Sequence, residues 1–280
     1  TTHNNNHGKE STMSYETNTI KIRFSEKPSV DIRCKLKSNG FSWSPAHAIW
    51  TAARTPKTQA LAQSLSEELP LDTIIGGDCV DTMRIMPGEA IDLVVTDPPY
   101  LVNYPDRSGR SIMNDNNDHW VEPAFNQLYR LLKPNSFCVS FCGWNSLDIF
   151  LSAAKQAGFR MSGHLVWQKN YASSSFYISS HHEQAIVLAK GNPQKPEKPL
   201  RSVLPWSYTG NKLHPTQKHI DVISPLVETF SSQGEVVLDP FCGSGTTALA
   251  AHKSGRHYIG IEKAPEFAEI ARQRLSEDSP

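Results

Sequence analysis

The sequence predicts an α/β fold with a mostly parallel sheet, preceded by a small α+β module. Three observations predict it. From about residue 71 onward, short apolar runs rich in β-branched residues (Ile91, Leu93, Val94, Val95; Val236, Val237, Leu238) alternate with stretches of helical periodicity. Two of these runs end in turns built for loops rather than hairpins: Asp97-Pro98-Pro99, and Asp239-Pro240 followed by Gly243 and Gly245. Alternation of this kind indicates crossover helices between parallel strands.

The elements follow in order. Residues 1–14 are polar, rich in Thr, Asn and His, and are expected to be a disordered tail. A compact module over residues 15–70 has a strand at Ile20 to Phe24, a helix from Ser29 to Ser38 closed by Asn39-Gly40, an aromatic strand pair from Phe41 to Trp50, and a helix from Pro56 to Leu69. The large α/β domain is expected over 71–276, with 277–280 as a tail. Its elements are a strand at Ile74 and Ile75, a turn Gly76-Gly77-Asp78 with a short helix, and the strand into Asp97. A long polar segment, Leu101 to Trp120, then stands where a functional loop is expected. Glu122 to Leu132 is helical, Lys133-Pro134-Asn135 a turn, Phe137 to Cys142 a strand, Leu147 to Ala157 a helix, and Leu165 to Lys169 and Gln184 to Ala189 strands. The pattern lapses over Gly191 to Leu213. The chain closes with the helix Ile220 to Phe230, the strand Glu235 to Leu238, the helix Thr246 to Lys253, the strand His257 to Ile261 and the helix Glu266 to Leu275.

The formal charge is +0, so this is not a globally basic coat for nucleic acid. The charge is uneven, however. Residues 21–57 hold eight basic residues against two acidic, and residues 190–218 hold six against Glu197, patches able to attract phosphates. In the module the basic residues interleave with Phe41, Trp43 and Trp50, a pattern that serves either nucleic-acid contact or a core with solvated charges. Five cysteines without paired C-x-x-C spacing argue against a disulfide framework and a zinc site, so no metal is expected. His181-His182 is not a ligand pair either, since adjacent strand residues face opposite sides. No apolar run approaches the length of a membrane span and no signal pattern opens the chain, so a reducing cytoplasm is the expected location.

Asp97-Pro98-Pro99-Tyr100 carries one chemistry. Neither proline can donate to a ladder, and each holds the residue before it extended. The turn therefore presents a carboxylate, carbonyls without competing N–H groups, and an aromatic ring, which suits an amino group on a planar ring. Taken alone, a strand end with Asp97 as a cap and Tyr100 in the core explains it equally. A second stretch, Asp239-Pro240-Phe241-Cys242-Gly243-Ser244-Gly245-Thr246-Thr247, is a strand, a Gly-x-Gly turn and a helix start, with Glu262 ending the next strand. Glycines allow close approach of a ligand, and an acidic strand end accepts both ribose hydroxyls, so the ligand reads as an adenosine. The third glycine of a dinucleotide fingerprint is missing, and no P-loop lysine follows.

With T-D-P-P-Y at 96–100, D-P-F-C-G-S-G-T-T at 239–247 and H-P-T-Q-K at 214–218, the chain resembles the β-class DNA amino-methyltransferases that use S-adenosylmethionine. The resemblance covers about residues 72–275. It implies a seven-stranded, mostly parallel sheet with helices on both faces, a catalytic turn Asp97, Pro98, Pro99 and Tyr100, and a cofactor site at Asp239, Pro240, Phe241, Gly243, Gly245 and Thr246. Glu262 would hold the ribose, Asp78 would lie near the adenine, and His214, Pro215, Thr216 and Lys218 would cradle the methionine carboxylate. Double-stranded DNA is the implied partner, with a homodimer left open. The D-P-P-Y form favours adenine N6 over cytosine N4; an RNA or protein-amide substrate and a non-catalytic binding subunit stay as alternatives. The interval 190–213 is short for a target-recognition segment, and no nuclease-like segment is visible, which favours a solitary or mobile-element enzyme.

Overall fold

A computed structural model gives the fold. It describes residues 11–278 except 17, 25–27, 29, 66–68, 103–114, 173, 176, 209, 211–212 and 215. The chain divides into two compact units, residues 1–69 with 84–87 and residues 70–83 with 88–280.

The small unit contains β1 (Ser11–Glu16), β2 (Thr19–Phe24), α1 (Val30–Ser38), β3 (Ser42–Ser44), β4 (Ile49–Ala53) and α2 (Pro56–Leu65). Its antiparallel sheet has the order β1-β2-β4-β3. Strand alternation puts Ile20, Ile22, Trp50 and Ala52 into one core with Leu36, Phe41 and Leu61. Gly40, at φ +87, ends α1 in the left-handed region where glycine has no steric penalty. The tail expected over 1–14 is corrected at its end: β1 starts at Ser11 and pairs residue by residue with β2. Polar composition does not oppose a ladder made by the backbone.

The large unit contains β5 (Thr73–Gly76), α3 (Cys79–Arg84), β6 (Ile91–Thr96), α4 (Val121–Leu131), β7 (Leu132–Phe141), α5 (Leu147–Ala157), β8 (Arg160–Gln168), the short ribbon β9 (Ser174–Ser175) and β10 (Ser179–Ser180), β11 (His182–Lys190), β12 (Val203–Pro205), α6 (Ile220–Phe230), β13 (Val236–Asp239), α7 (Thr246–Lys253), β14 (His257–Glu262) and α8 (Pro265–Glu277). Eight strands form one sheet, ordered β12-β8-β11-β7-β6-β13-β14-β5, and only the two pairings of β11 are antiparallel. Leu93 and Val95 of β6 pack with Val222, Leu226 and Ala250 of α6 and α7. Val94 between them is equally buried and points to the other face. A strand covered on both sides in this way carries a continuous apolar run, as Leu93, Val94 and Val95 do in β6.

Two readings of the pattern are corrected. The sheet has eight strands, because Val203–Pro205 adds to the edge at β8 within the stretch that showed no pattern. Three residues at an edge, one of them proline, leave no periodicity to detect. The turn expected at 133–135 lies inside β7: the register against β6 shifts there and Asn135 stands at φ +64. Local turn chemistry is right at Asn135, but the ladder resumes after it. Because β5, β6, β7, β13 and β14 run parallel, Gly76, Thr96, Phe141, Asp239 and Glu262 end along one edge of the sheet, where α/β proteins bind ligands.

Candidate active site

The residues after β6 form a buried charged cluster. Pro98 and Pro99 are buried, and Asp97 and Tyr100 partly so. The Tyr100 hydroxyl donates to Asp97 Oδ1 (2.9 Å), while Lys218 Nζ donates to Asp97 Oδ2 (2.6 Å) and to Tyr100 Oη (3.2 Å). The same ammonium lies 5.0 Å from the Phe141 ring centroid and 5.3 Å from that of Tyr100, a favourable place for a cation. Ser146 Oγ donates to the Tyr100 carbonyl (2.8 Å) and fixes the end of the turn. Burial pushes the Asp97 carboxyl upward, opposed by the charge and hydrogen bond of Lys218 and by the hydrogen bond of Tyr100. Burial, then the carboxylates of Asp97 and Glu183, raises Tyr100 well above the usual phenol, so it stays a donor.

Two residues of this cluster were not expected from the sequence. Glu183, at the start of β11, places Oε2 3.4 Å from the Tyr100 hydroxyl, and its Oε1 accepts from Lys169 Nζ. The Lys169 ammonium also lies 5.2 Å from the Trp206 ring centroid and 5.7 Å from that of Tyr171. The signal available was a charge at each end of two apolar strands, but antiparallel pairing had to be known before Glu183 and Lys169 could be put side by side.

The second constellation is built from backbone shape. Asp239, only 4 % exposed, accepts at Oδ1 from Thr96 Oγ1 (2.9 Å) and from the Phe241 N–H (3.1 Å). Burial raises its carboxyl to about 7, against these bonds and one from Thr247. Pro240 is buried, and the Phe241 ring lies 4.8 Å from that of Trp120, at the end of the long polar segment. Gly243 and Gly245 stand at φ +50 and +80. A Cβ on Gly245 would come within 2.9 Å of Ala271 Cβ, and one on Gly243 within 3.4 Å of the His214 ring. Thr246 is buried at the start of α7, where its hydroxyl accepts from Arg274 (3.3 Å).

Glu262 latches this turn: its oxygens accept from the N–H groups of Gly243 and Ala264, both at 2.8 Å. Its carboxyl is raised, chiefly by burial. Asp78 caps α3 by accepting from the N–H groups of Val80 (3.0 Å) and Asp81 (3.3 Å), and it pairs with Lys263 (3.1 Å). His214 lies against Gly243, with its ring 4.3 Å from that of Phe267, and it accepts from the Thr216 N–H (3.3 Å). The segment 214–218 thus spans from the glycine turn to Asp97, where Lys218 sits; Pro215 lies outside the described residues. A glycine cradle flanked by the acidic strand ends Asp239 and Glu262 and the helix cap Asp78 suits a ligand with positive charge and ring hydroxyls.

Residues 91–273 match the DNA methylase family of the N6/N4 type. The chain belongs to that family. The match runs from β6 to α8, so this methylase carries both constellations inside it apart from Asp78. YubD of Escherichia coli (strain K12), named as a candidate methylase, is 49% identical over 206 residues, covering 74% of this chain and 91% of its own. The type II methyltransferase M.HinfI of Haemophilus influenzae is 28% identical over 258 residues, covering 75% of this chain and 70% of its own. Among solved structures, the M1.HpyAVI–SAM complex aligns with a TM-score of 0.58 at 26% identity, over 72% of this chain and 98% of that one. The cytosine-N4-specific PvuII DNA methyltransferase shares the fold at 16% identity and a TM-score of 0.57, over 73% of this chain and 89% of its own. Among the described residues, no group of His, Cys, Asp or Glu side chains is arranged to hold a metal, and no helix is long and apolar enough to cross a membrane.

Proposed function

We propose that this methylase transfers a methyl group from S-adenosylmethionine to the exocyclic N6 amino group of an adenine flipped out of double-stranded DNA. The observation that carries the reading is Asp97, held at the strand end by one ammonium and one phenol and followed by two prolines. An exocyclic amino group is a weak nucleophile because its lone pair is delocalised into the ring. Asp97 and the Pro98 carbonyl accept its two hydrogens, and the nitrogen is then held with its lone pair toward the methyl donor, which is catalysis by orientation and electrostatics. Lys218 opposes the upward push that burial gives the Asp97 carboxyl and so favours the ionised form that an acceptor requires. Tyr100 offers a ring for the flipped base. Extrusion costs a few kcal/mol, and stacking of about 1 to 3 kcal/mol offsets part of it.

S-adenosylmethionine supplies a methyl group on a cationic sulfur that leaves as a neutral thioether. Its holders are Asp239, Phe241, Gly243, Gly245 and Thr246 around the turn, with His214 and Thr216 from the opposite side. The Glu262 oxygens each accept one N–H and keep a second lone pair for the ribose hydroxyls. Support comes from the SAM complex of M1.HpyAVI. The basic stretch 190–218 and the basic small unit supply contacts to DNA phosphates.

The test is methylation mapping by single-molecule sequencing of DNA from a methylation-free host expressing the chain, beside an Asp97→Ala control. N6-methyladenine in a short motif, absent from the control, is the expected result. Modified cytosine N4 overturns the base assignment, and unmodified DNA from cells with folded protein overturns the substrate.

A further inference from the structure

The proposed reaction leaves a proton to be disposed of, and the cluster behind the catalytic turn extends beyond what holding an amino group requires. Asp97, Tyr100 and Glu183 form a line in which one hydroxyl lies 2.9 Å from the first carboxylate and 3.4 Å from the second. Each carboxylate is neutralised by one ammonium, Lys218 at Asp97 and Lys169 at Glu183. These residues come from four places: the turn after β6, the end of β8, the start of β11, and the segment before α6. Assembly from so many segments of a chain of two buried lysines, two carboxylates and a phenol is costly unless each member has a partner.

We propose that Glu183, paired with Lys169, is the outlet for the proton released on methyl transfer, receiving it from Asp97 through the hydroxyl of Tyr100. This inference rests on the reaction proposed above. Attack of the amino nitrogen forms an N–C bond while the S–C bond breaks and its electron pair stays on sulfur. The nitrogen, now cationic, loses one proton to Asp97. Asp97 passes that proton to Tyr100 Oη as Tyr100 passes its own to Glu183 Oε2. Asp97 and Tyr100 are thereby restored, and Glu183 carries the proton until it leaves for water. Both ends of the line are a carboxylate beside one ammonium. Tyr100 takes part without becoming a phenolate, in keeping with its raised ionisation. The groups facing Glu183 are Tyr100 and Asp97 after β6, the buried Cys142 thiol after β7, pushed up to about 12, and Lys169 and Tyr171 after β8. Glu183 and Lys169 act through Tyr100 and are positioning residues, whereas Asp97 and Tyr100 touch the substrate.

The experiment is a single turnover on DNA with two signals, methyl transfer by quench and proton release by an indicator dye, in wild type, Glu183→Gln and Glu183→Asp. In the wild type the two signals are expected to coincide. In Glu183→Gln proton release should lag methyl transfer by about tenfold, and Glu183→Asp should restore coincidence; coincident signals in Glu183→Gln overturn the outlet. The ligand-free protein gives a second readout that needs no turnover. Infrared titration of the carboxyl bands should show Asp97 protonating at lower pH in Glu183→Gln than in wild type, since a like charge facing it is gone. An unmoved Asp97 titration overturns the coupling. Wild type that methylates no DNA removes the parent reaction instead, while the infrared result still tests the coupled pair.

Discussion

The ends of β6 and β13 are neighbours in the sheet, joined by the hydrogen bond from Thr96 to Asp239, yet they are built on opposite principles. The β6 end is made of side-chain charge: two carboxylates, two ammonium groups and a phenol with their polar atoms satisfied by one another. The β13 end is made of backbone shape: two glycines at positive φ, one of them too close to Ala271 for any Cβ, and two carboxylates, Asp239 and Glu262, held by N–H and hydroxyl donors. The first should fail when a charge is removed at constant volume, and the second when a methyl group is added at constant charge.

The largest effect is expected from Lys218→Met. It leaves Asp97 buried without its counter-charge, a loss of about 3 to 5 kcal/mol in unfolding free energy. Adding Asp97→Asn should recover most of that stability and none of the activity, as read by denaturant unfolding and methyl transfer on the double variant. Asp97→Asn alone keeps the volume and loses the charge. Its single-turnover rate is expected to fall about 10² to 10³-fold, while binding of S-adenosylmethionine by calorimetry stays near that of the wild type. Equal loss of binding and rate would mean that the two strand ends are one unit.

At the other end, Gly245→Ala is expected to destabilise by about 1 to 3 kcal/mol through overpacking against Ala271, and to weaken S-adenosylmethionine binding without changing charge. Gly243→Ala should cost less. Its Cβ meets the His214 ring at 3.4 Å, an ordinary contact, so the backbone conformation alone is penalised, by about 1 to 2 kcal/mol. Thermal unfolding of the two variants side by side decides between volume and φ as the dominant constraint.

Legibility in the sequence followed the same division. Glycine spacing, Pro-Pro turns and β-branched runs are local, so β6, β13, β14 and the turns after them stand where the pattern put them. Asp97 and Lys218 were both expected at the site, but their pairing was not, because 121 residues separate them. Glu183 and Lys169 carried no motif at all; only the antiparallel register of β8 and β11 brings them to Tyr100. The roles expected for Asp78 and Glu262 were ligand contacts, and the structure adds local tasks, a helix cap and a latch on the glycine turn, which one residue type serves as readily as the other. Edge strands such as β1 and β12 were missed where pairing rests on the backbone.

The smallest effect, and the one that bears most directly on the contrast, concerns Asp239. Burial raises both Asp97 and Asp239, but an ammonium opposes the rise at Asp97 and only neutral donors oppose it at Asp239, which reaches about 7 against an ordinary 3.8. Between those values the folded chain holds a proton that the unfolded chain has released. The stability tied to Asp239 is therefore fully present below the ordinary carboxyl range and is lost as pH rises through about 7. Asp239→Asn cannot ionise and removes this slope. The melting temperature of the variant should rise relative to wild type on going from about pH 5 to about pH 8, above the folded value. A constant difference across that range would mean that Asp239 is ionised throughout; the glycine turn would then hold a fixed buried charge of its own, and the contrast between charge and shape would not stand.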